Sequence, residues 1–160
     1  MKALNAMQLH LTPVAVADFE PMAAIRIAAL RESLERLGRF DPVRARARLA
    51  AGFVPEFMQH IVVDDQRMGF VTLRPDDDAT PKALKLDHLY VLPAFQGRGI
   101  GAWVLGWAKA QARVAQRDIA VSALKLSDAN RFYLRHGFVA VGESEFDLDY
   151  RWVAAQELVA

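Results

Sequence analysis

The sequence predicts one domain of mixed α/β class, and three observations carry that prediction. The chain has 160 residues, enough for one sizeable core and too few for two ordinary domains, so residues 1–160 are read as a single domain. Leu84 to Leu92 is a short apolar run bounded by Pro81 and Pro93, which suits a buried strand. Gly97, Gly99 and Gly101 follow at alternate positions, and then Ile100, Trp103, Val104 and Trp107 recur at the spacing of a helical face. With a further strand at Ile119 to Lys125 this makes a β-α-β unit, which favours parallel pairing.

The remaining elements follow in order. Leu9 to Val16 alternates weakly and contains Pro13, so it suits an edge strand, and Asp18 is placed to cap the next helix. From Phe19 to Leu37, Met22, Ile25, Ile27, Leu30, Leu34 and Leu37 recur near helical spacing, and Gly38 is expected to end that helix. Asp41 and Pro42 read as an N-cap followed by proline at the first helical position, opening a short helix through Ala51. Its Arg44, Arg46 and Arg48 read as a solvated face. His60 to Asp64 and Met68 to Arg74, joined by Asp65-Gln66-Arg67, read as a hairpin, and Pro75 to Pro81 as an exposed loop. His60 reads as a partly buried structural residue. After a helix ending before Gly137, Phe138 to Gly142 and Phe146 to Val153 are the closing strands, and Gln156 to Ala160 are expected to fray.

Composition narrows the function classes. Hydrophobic residues make up 53% and charged residues 24%, as in ordinary soluble domains. A formal net charge of +1 gives no reason to expect nucleic acid or an acidic membrane as partner. Without cysteine there is no thiol nucleophile and no thiolate metal site, and no metal is expected. Met1 to Gln8 lacks the apolar core of a signal peptide, and no run reaches the roughly 18 apolar residues of a membrane span, so a cytoplasmic location is expected.

The glycine stretch is where chemistry enters. Glycine lets backbone approach a ligand closely and takes positive φ without strain. The first turn of a helix has N–H groups without partners, and its dipole attracts anions. Gln96, Gly97, Arg98, Gly99, Ile100 and Gly101 therefore read as a phosphate cradle, with Arg98 adding formal charge.

Gln96-Gly97-Arg98-Gly99-Ile100-Gly101 resembles the Gln/Arg-x-x-Gly-x-Gly/Ala signature of the GNAT superfamily, the acyl-CoA-dependent N-acetyltransferases. Leu89-Tyr90-Val91-Leu92-Pro93 before it is similar to that family's fourth strand, and Ala129 to Phe138 resembles its Ala-x-x-Phe-Tyr-x-x-x-Gly-Phe block. The resemblance implies an α/β (α+β) architecture: a mixed, mostly antiparallel central sheet of six to seven strands flanked by about four helices. It implies acetyl-CoA as co-substrate, with the diphosphate at Gln96 to Gly101 and the pantetheine arm along the backbone of Leu89, Tyr90 and Val91. The implied acceptor is a small-molecule or peptide amine, and a homodimer is compatible with it. Where many members carry asparagine two or three residues before the alanine of the second block, this chain has Ser127 and Leu126. Ser127 or Asn130 is then the candidate for that coenzyme contact.

Acyl transfer to an amine needs a held thioester, a neutral amine and a proton for the departing thiolate. Strand alternation puts Lys85, Asp87, Leu89 and Val91 on one face and Leu86, His88 and Tyr90 on the other. The family resemblance implies a base on the face of Asp87; a register shift of one residue would substitute His88. Tyr133 matches the family tyrosine cast as general acid, and Phe132 beside it is expected to supply the packing. Asp87 and Tyr133 also separate this reading from a non-catalytic acyl-CoA sensor, which would keep only the cradle. A dinucleotide oxidoreductase fits Gly97 to Ala102 less well, because that fingerprint normally follows the first strand of the sheet.

Overall fold

The computed structural model describes residues 7–154. The expected fraying at Gln156 to Ala160 and most of Met1 to Gln8 lie outside them. Among these residues seven strands and four α-helices follow one another: β1 Leu9–Pro13, α1 Phe19–Arg36, α2 Pro42–Ala51, β2 Met58–Val63, β3 Gln66–Asp76, β4 Ala83–Val91, α3 Ile100–Ala115, β5 Asp118–Leu124, α4 Ala129–Arg135, β6 Val139–Glu143 and β7 Asp147–Trp152. The sheet order is β1-β2-β3-β4-β5-β7-β6. Pairing is antiparallel for β1 with β2, β2 with β3, β5 with β7 and β6 with β7, and parallel for β4 with β5. This is the expected mixed, mostly antiparallel sheet with four helices. Among the described residues no helix is long and apolar enough to cross a membrane.

By internal contacts the chain divides into two compact units. The first comprises the residues up to Thr72 with His88–Trp103, and the second Leu73–Asp87 with the residues from Val104 on.

In the first unit, buried Val14, Met22, Ala23, Ile25, Leu49, Met58 and Phe70 form the core. The end of α1 shows why Gly38 was legible. The N–H of Gly38 reaches the carbonyl of Glu35 at 2.9 Å, that of Arg39 reaches Leu34 at 2.8 Å, and Gly38 takes φ 68°. The start of α2 is as expected, with Asp41 Oδ1 accepting from the N–H of Arg44 at 3.1 Å. Arg46 of its charged face is paired with Glu20, and Arg44 and Arg48 are exposed.

Three expectations are corrected in this unit. Asp18 makes no side-chain cap on α1. Its carboxylate instead accepts from the N–H of Ala15 at 2.9 Å, from His60 Nε2 at 2.9 Å and from Arg67 at 3.1 Å. His60 lies inside β2 and is fully buried, with Nε2 bonded to Asp18 and Nδ1 buried without a partner. The hairpin turns at Asp64 and Asp65, with φ 48° and 66°, ahead of the expected Asp65 to Arg67. A two-residue loop that matches strand twist requires positive φ at both positions, and aspartate tolerates it. β3 then runs on through Pro75 and Asp76, shortening the exposed loop.

In the second unit, Leu84, Leu86, Ile119, Val121, Tyr150 and Trp152 are buried strand residues. β4 and β5 pair from Ala83 with Asp118 to Leu86 with Val121, and both strands continue beyond the last of these pairs. Along α3 the deepest positions are Ile100, Val104, Leu105, Ala108 and Ala112; Trp103 and Trp107 are only half-buried. The expected helical face is therefore rotated toward alanines, whose small side chains let a helix lie close to its neighbours.

Two outcomes check this account. A Cβ added at Gly69 would run into the carbonyl oxygen of Tyr90, a backbone atom that cannot swing away. Gly69→Ala should therefore cost about 1–3 kcal/mol, seen as a melting temperature lower by several degrees. The bond from His60, then that from Ala15, and lastly Arg67 outweigh burial and hold the Asp18 carboxyl at about 2, below its ordinary 3.8. A depressed carboxyl stabilises the fold above its unfolded value and loses that effect as pH falls through the folded one. Asp18→Asn should melt below wild type at pH 7, with the gap closing between about pH 4 and pH 2.

Candidate active site

The end of β4 and the start of α3 build the centre of the site within the first unit. After Val91 a one-turn 3₁₀ helix, Pro93–Phe95, leads into Gln96, whose side-chain Nε2 donates to the Val91 carbonyl at 2.9 Å. That bond pins the loop to the strand it leaves. Gly97 and Gly99 then take φ 77° and 83°, a conformation that costs any residue with a Cβ. A Cβ placed on Gly97 would meet no atom within 4 Å, so backbone conformation demands glycine there and crowding does not.

The hydrogen-bond inventory of this loop is incomplete in one direction. The first internal bond runs from the N–H of Trp103 to the carbonyl of Gly99 at 3.0 Å. The N–H groups of Gly97, Arg98, Gly99, Ile100, Gly101 and Ala102 have no acceptor among the described residues. Arg98 stands beside them with its guanidinium 5.2 Å from the Phe95 ring centroid. Consecutive amide donors at a helix N-terminus beside a cation suit a diphosphate. The donor set therefore fits coenzyme A, whose diphosphate needs several N–H donors and some positive charge.

β4 presents its two faces in the expected register. Leu84, Leu86 and His88 are buried while Lys85, Asp87 and Leu89 are half-buried. Within the first unit, His88 Nδ1 is 2.8 Å from the hydroxyl of Thr72, and the His88 ring packs beside Phe70 and Tyr90. Within the second unit, Asp87 Oδ2 is held by the Nε of Arg74 in an ion pair, with the carboxylate one-fifth exposed. Neither Thr72 nor Arg74 was singled out from the sequence. Each lies on β3 and its partner on β4, and no local pattern reveals which residues of two strands will meet.

Tyr133 belongs to α4 and is buried, 6% exposed, with ring centroids of Phe138 at 5.3 Å and Tyr150 at 6.1 Å. Phe132 is the more exposed of the pair, so the packing assigned to Phe132 falls to Tyr133 itself. Ser127 and Asn130 are engaged within the turn between β5 and α4. Ser127 Oγ donates to the Leu124 carbonyl at 2.6 Å. Asn130 Nδ2 donates to the carbonyls of Leu124 and Ser127 at 2.9 and 3.0 Å, while its Oδ1 accepts from the Tyr150 hydroxyl at 2.7 Å. A coenzyme contact by either side chain would have to compete with these bonds. Among the described residues no group of three or more histidine, aspartate or glutamate side chains is arranged to hold a metal.

Comparison with known proteins bears on the same stretch. A family model described as an acetyltransferase (GNAT) domain matches residues 57–140, more than half of the chain. Over 56 residues the chain is 39% identical to the aminoalkylphosphonate N-acetyltransferase of Salmonella typhimurium, a match spanning 34% of this chain and 36% of the relative. The matched stretch is thus about a third of that relative's length. Among solved structures, the PaiA N-acetyltransferase of Thermoplasma acidophilum in complex with coenzyme A superposes with a TM-score of 0.74 at 13% identity, over 91% of this chain and 99% of that one. The apo form of YjaB from Escherichia coli gives 0.72 at 18% identity, over 91% and 98%. These likenesses extend the fold across nearly all of the chain, and the domain match over residues 57–140 makes it a member of the GNAT acetyltransferase family.

Proposed function

We propose that residues 1–160 act as one N-acetyltransferase domain that moves an acetyl group from acetyl-CoA to a primary amine by direct attack. The observation that carries this reading is the run of unpartnered N–H groups from Gly97 to Ala102. They and Arg98 would hold the diphosphate, and the backbone of Leu89, Tyr90 and Val91 would lie along the pantetheine arm. Two relatives support it: one is named for N-acetylation of aminoalkylphosphonates and another was solved with coenzyme A. A primary amine on a short alkyl chain is accordingly the acceptor we favour, in the cytoplasm.

In the proposed reaction the amine nitrogen attacks the thioester carbonyl, the C–N bond forms and the C–S bond breaks. The departing thiolate takes the hydroxyl proton of Tyr133, and the nitrogen gives up its proton to Asp87, directly or through water. Most of a primary amine is protonated near neutral pH, so a carboxylate within reach raises the fraction able to attack. Asp87 keeps Oδ1 for that task while Arg74 holds Oδ2. His88, turned into the core of the first unit and bonded to Thr72, is the weaker choice of base.

A second reading, an acyl-CoA-binding module without turnover, draws on the same two residues. Asp87 is already paired with Arg74 and Tyr133 is buried.

Acetyl-CoA should raise the melting temperature of wild type, Tyr133→Phe and Asp87→Asn, since a ligand of the native state stabilises it by mass action. Turnover with a primary amine should fall on the order of a hundredfold in Tyr133→Phe. In Asp87→Asn the loss should be greatest at acidic to neutral pH. A thermal shift without turnover in wild type selects the binding module, and no shift at saturating acetyl-CoA removes both readings.

A further inference from the structure

We propose that Arg26 binds an anionic group on the amine acceptor, which makes the substrate class a short amine bearing a carboxylate or phosphonate. This rests on the acetyltransferase reading for the amine, and on Arg26 alone for the anion. Arg26 lies on α1 and is 9% exposed, the only arginine among the buried polar residues described. Its Nη1 donates to the carbonyl of Ala45 on α2 at 2.8 Å, while its Nε is buried with no partner. No carboxylate lies within 4.0 Å of it among the described residues.

Six arginines that do form ion pairs supply the contrast. Arg31, Arg46, Arg67, Arg74, Arg117 and Arg151, all more exposed, each have an acidic partner. A guanidinium has five N–H donors and keeps its charge at any physiological pH, and here the carbonyl of Ala45 serves Nη1 while the buried Nε–H goes without an acceptor. The Tyr90 ring, 5.5 Å from its Cζ, compensates only part of a buried charge. An oxyanion that presents two oxygens side by side, as a carboxylate or a phosphonate does, is what the fork geometry fits. Tyr90 is half-buried and belongs to the stretch of β4 assigned above to the pantetheine arm. An anion at Arg26 would therefore be held one ring away from the path of the acyl group.

The test compares acceptors that share one aminopropyl arm: aminopropylphosphonate, γ-aminobutyrate and butylamine, with wild type, Arg26→Met and Arg26→Lys. Wild type should prefer at least one of the two anionic amines over butylamine by roughly tenfold or more in kcat/KM. The two anionic arms separate phosphonate from carboxylate. Arg26→Met should bring that ratio close to one through KM, and Arg26→Lys should retain part of it. An unchanged ratio in Arg26→Met, with all three amines slowed alike, would make Arg26 a structural residue. Equal use of the three amines by wild type would overturn the proposal even if Arg26→Met does not fold. If no amine is acetylated, the acetyltransferase reading fails separately. The anion site is then decided by methylphosphonate, which must raise the melting temperature of wild type more than that of Arg26→Lys.

Discussion

Backbone amides without acceptors set the terms for this chain. An N–H group withdrawn from its protein partners must find water or a ligand, and the stretch from Gly97 to Ala102 gathers a series of them at one helix end. Holding them together requires Gly97 and Gly99 at positive φ, a strand end tied down by Gln96, and a helix long enough to keep its first turn in place. The 16 residues of α3, anchored by Ile100, Val104, Leu105, Ala108 and Ala112, meet the last need. Substituting a bulkier side chain at Ala108 or Ala112 would act on the loop from a distance, because it would lift the helix whose first turn completes the donor set.

What was legible in the sequence is what local chemistry dictates. Gly38 stops α1 because the left-handed position after a helix favours glycine, and Asp41-Pro42 opens α2 because one residue caps and the next presets φ. The alternation along β4 was legible for the same reason, since buried Leu84, Leu86 and His88 need only a period of two. Illegible were the partners that long-range register brings together. Asp18 has the composition of a cap, yet His60, 42 residues away, and Arg67, 49 away, claim its carboxylate. Asp87 was placed on the correct face, but its pairing with Arg74 depends on where two strands happen to lie side by side.

The surroundings of Arg26 differ from those of the arginines that form ion pairs. Arg31, Arg46 and Arg117 are paired with acids close by in space, an arrangement that adds little stability at an exposed position. Buried charge is costly unless fully bonded, and an apolar residue of similar length would fill the position of Arg26 without that cost. The other buried residues of its helix are Met22, Ala23 and Ile25, and the anion proposed above would give the charge among them a partner.

The burial of Tyr133 changes what its hydroxyl can be asked to do. A proton donor on a mobile surface side chain would have to be ordered at every turnover, whereas this ring is already fixed by Phe138 and Tyr150. Tyr150 is fixed in turn, because its hydroxyl donates to Asn130, whose amide closes on the carbonyls of Leu124 and Ser127. Order in the core is thus passed from the end of β5 through Asn130 and Tyr150 to the ring of Tyr133. On the proposed mechanism, Asn130 would serve the reaction through this chain of contacts, positioning the acid by holding the turn on which α4 stands. A polar side chain can take part in a site by fixing a neighbour as well as by touching a ligand, and the bonds that Asn130 already makes favour the first of these.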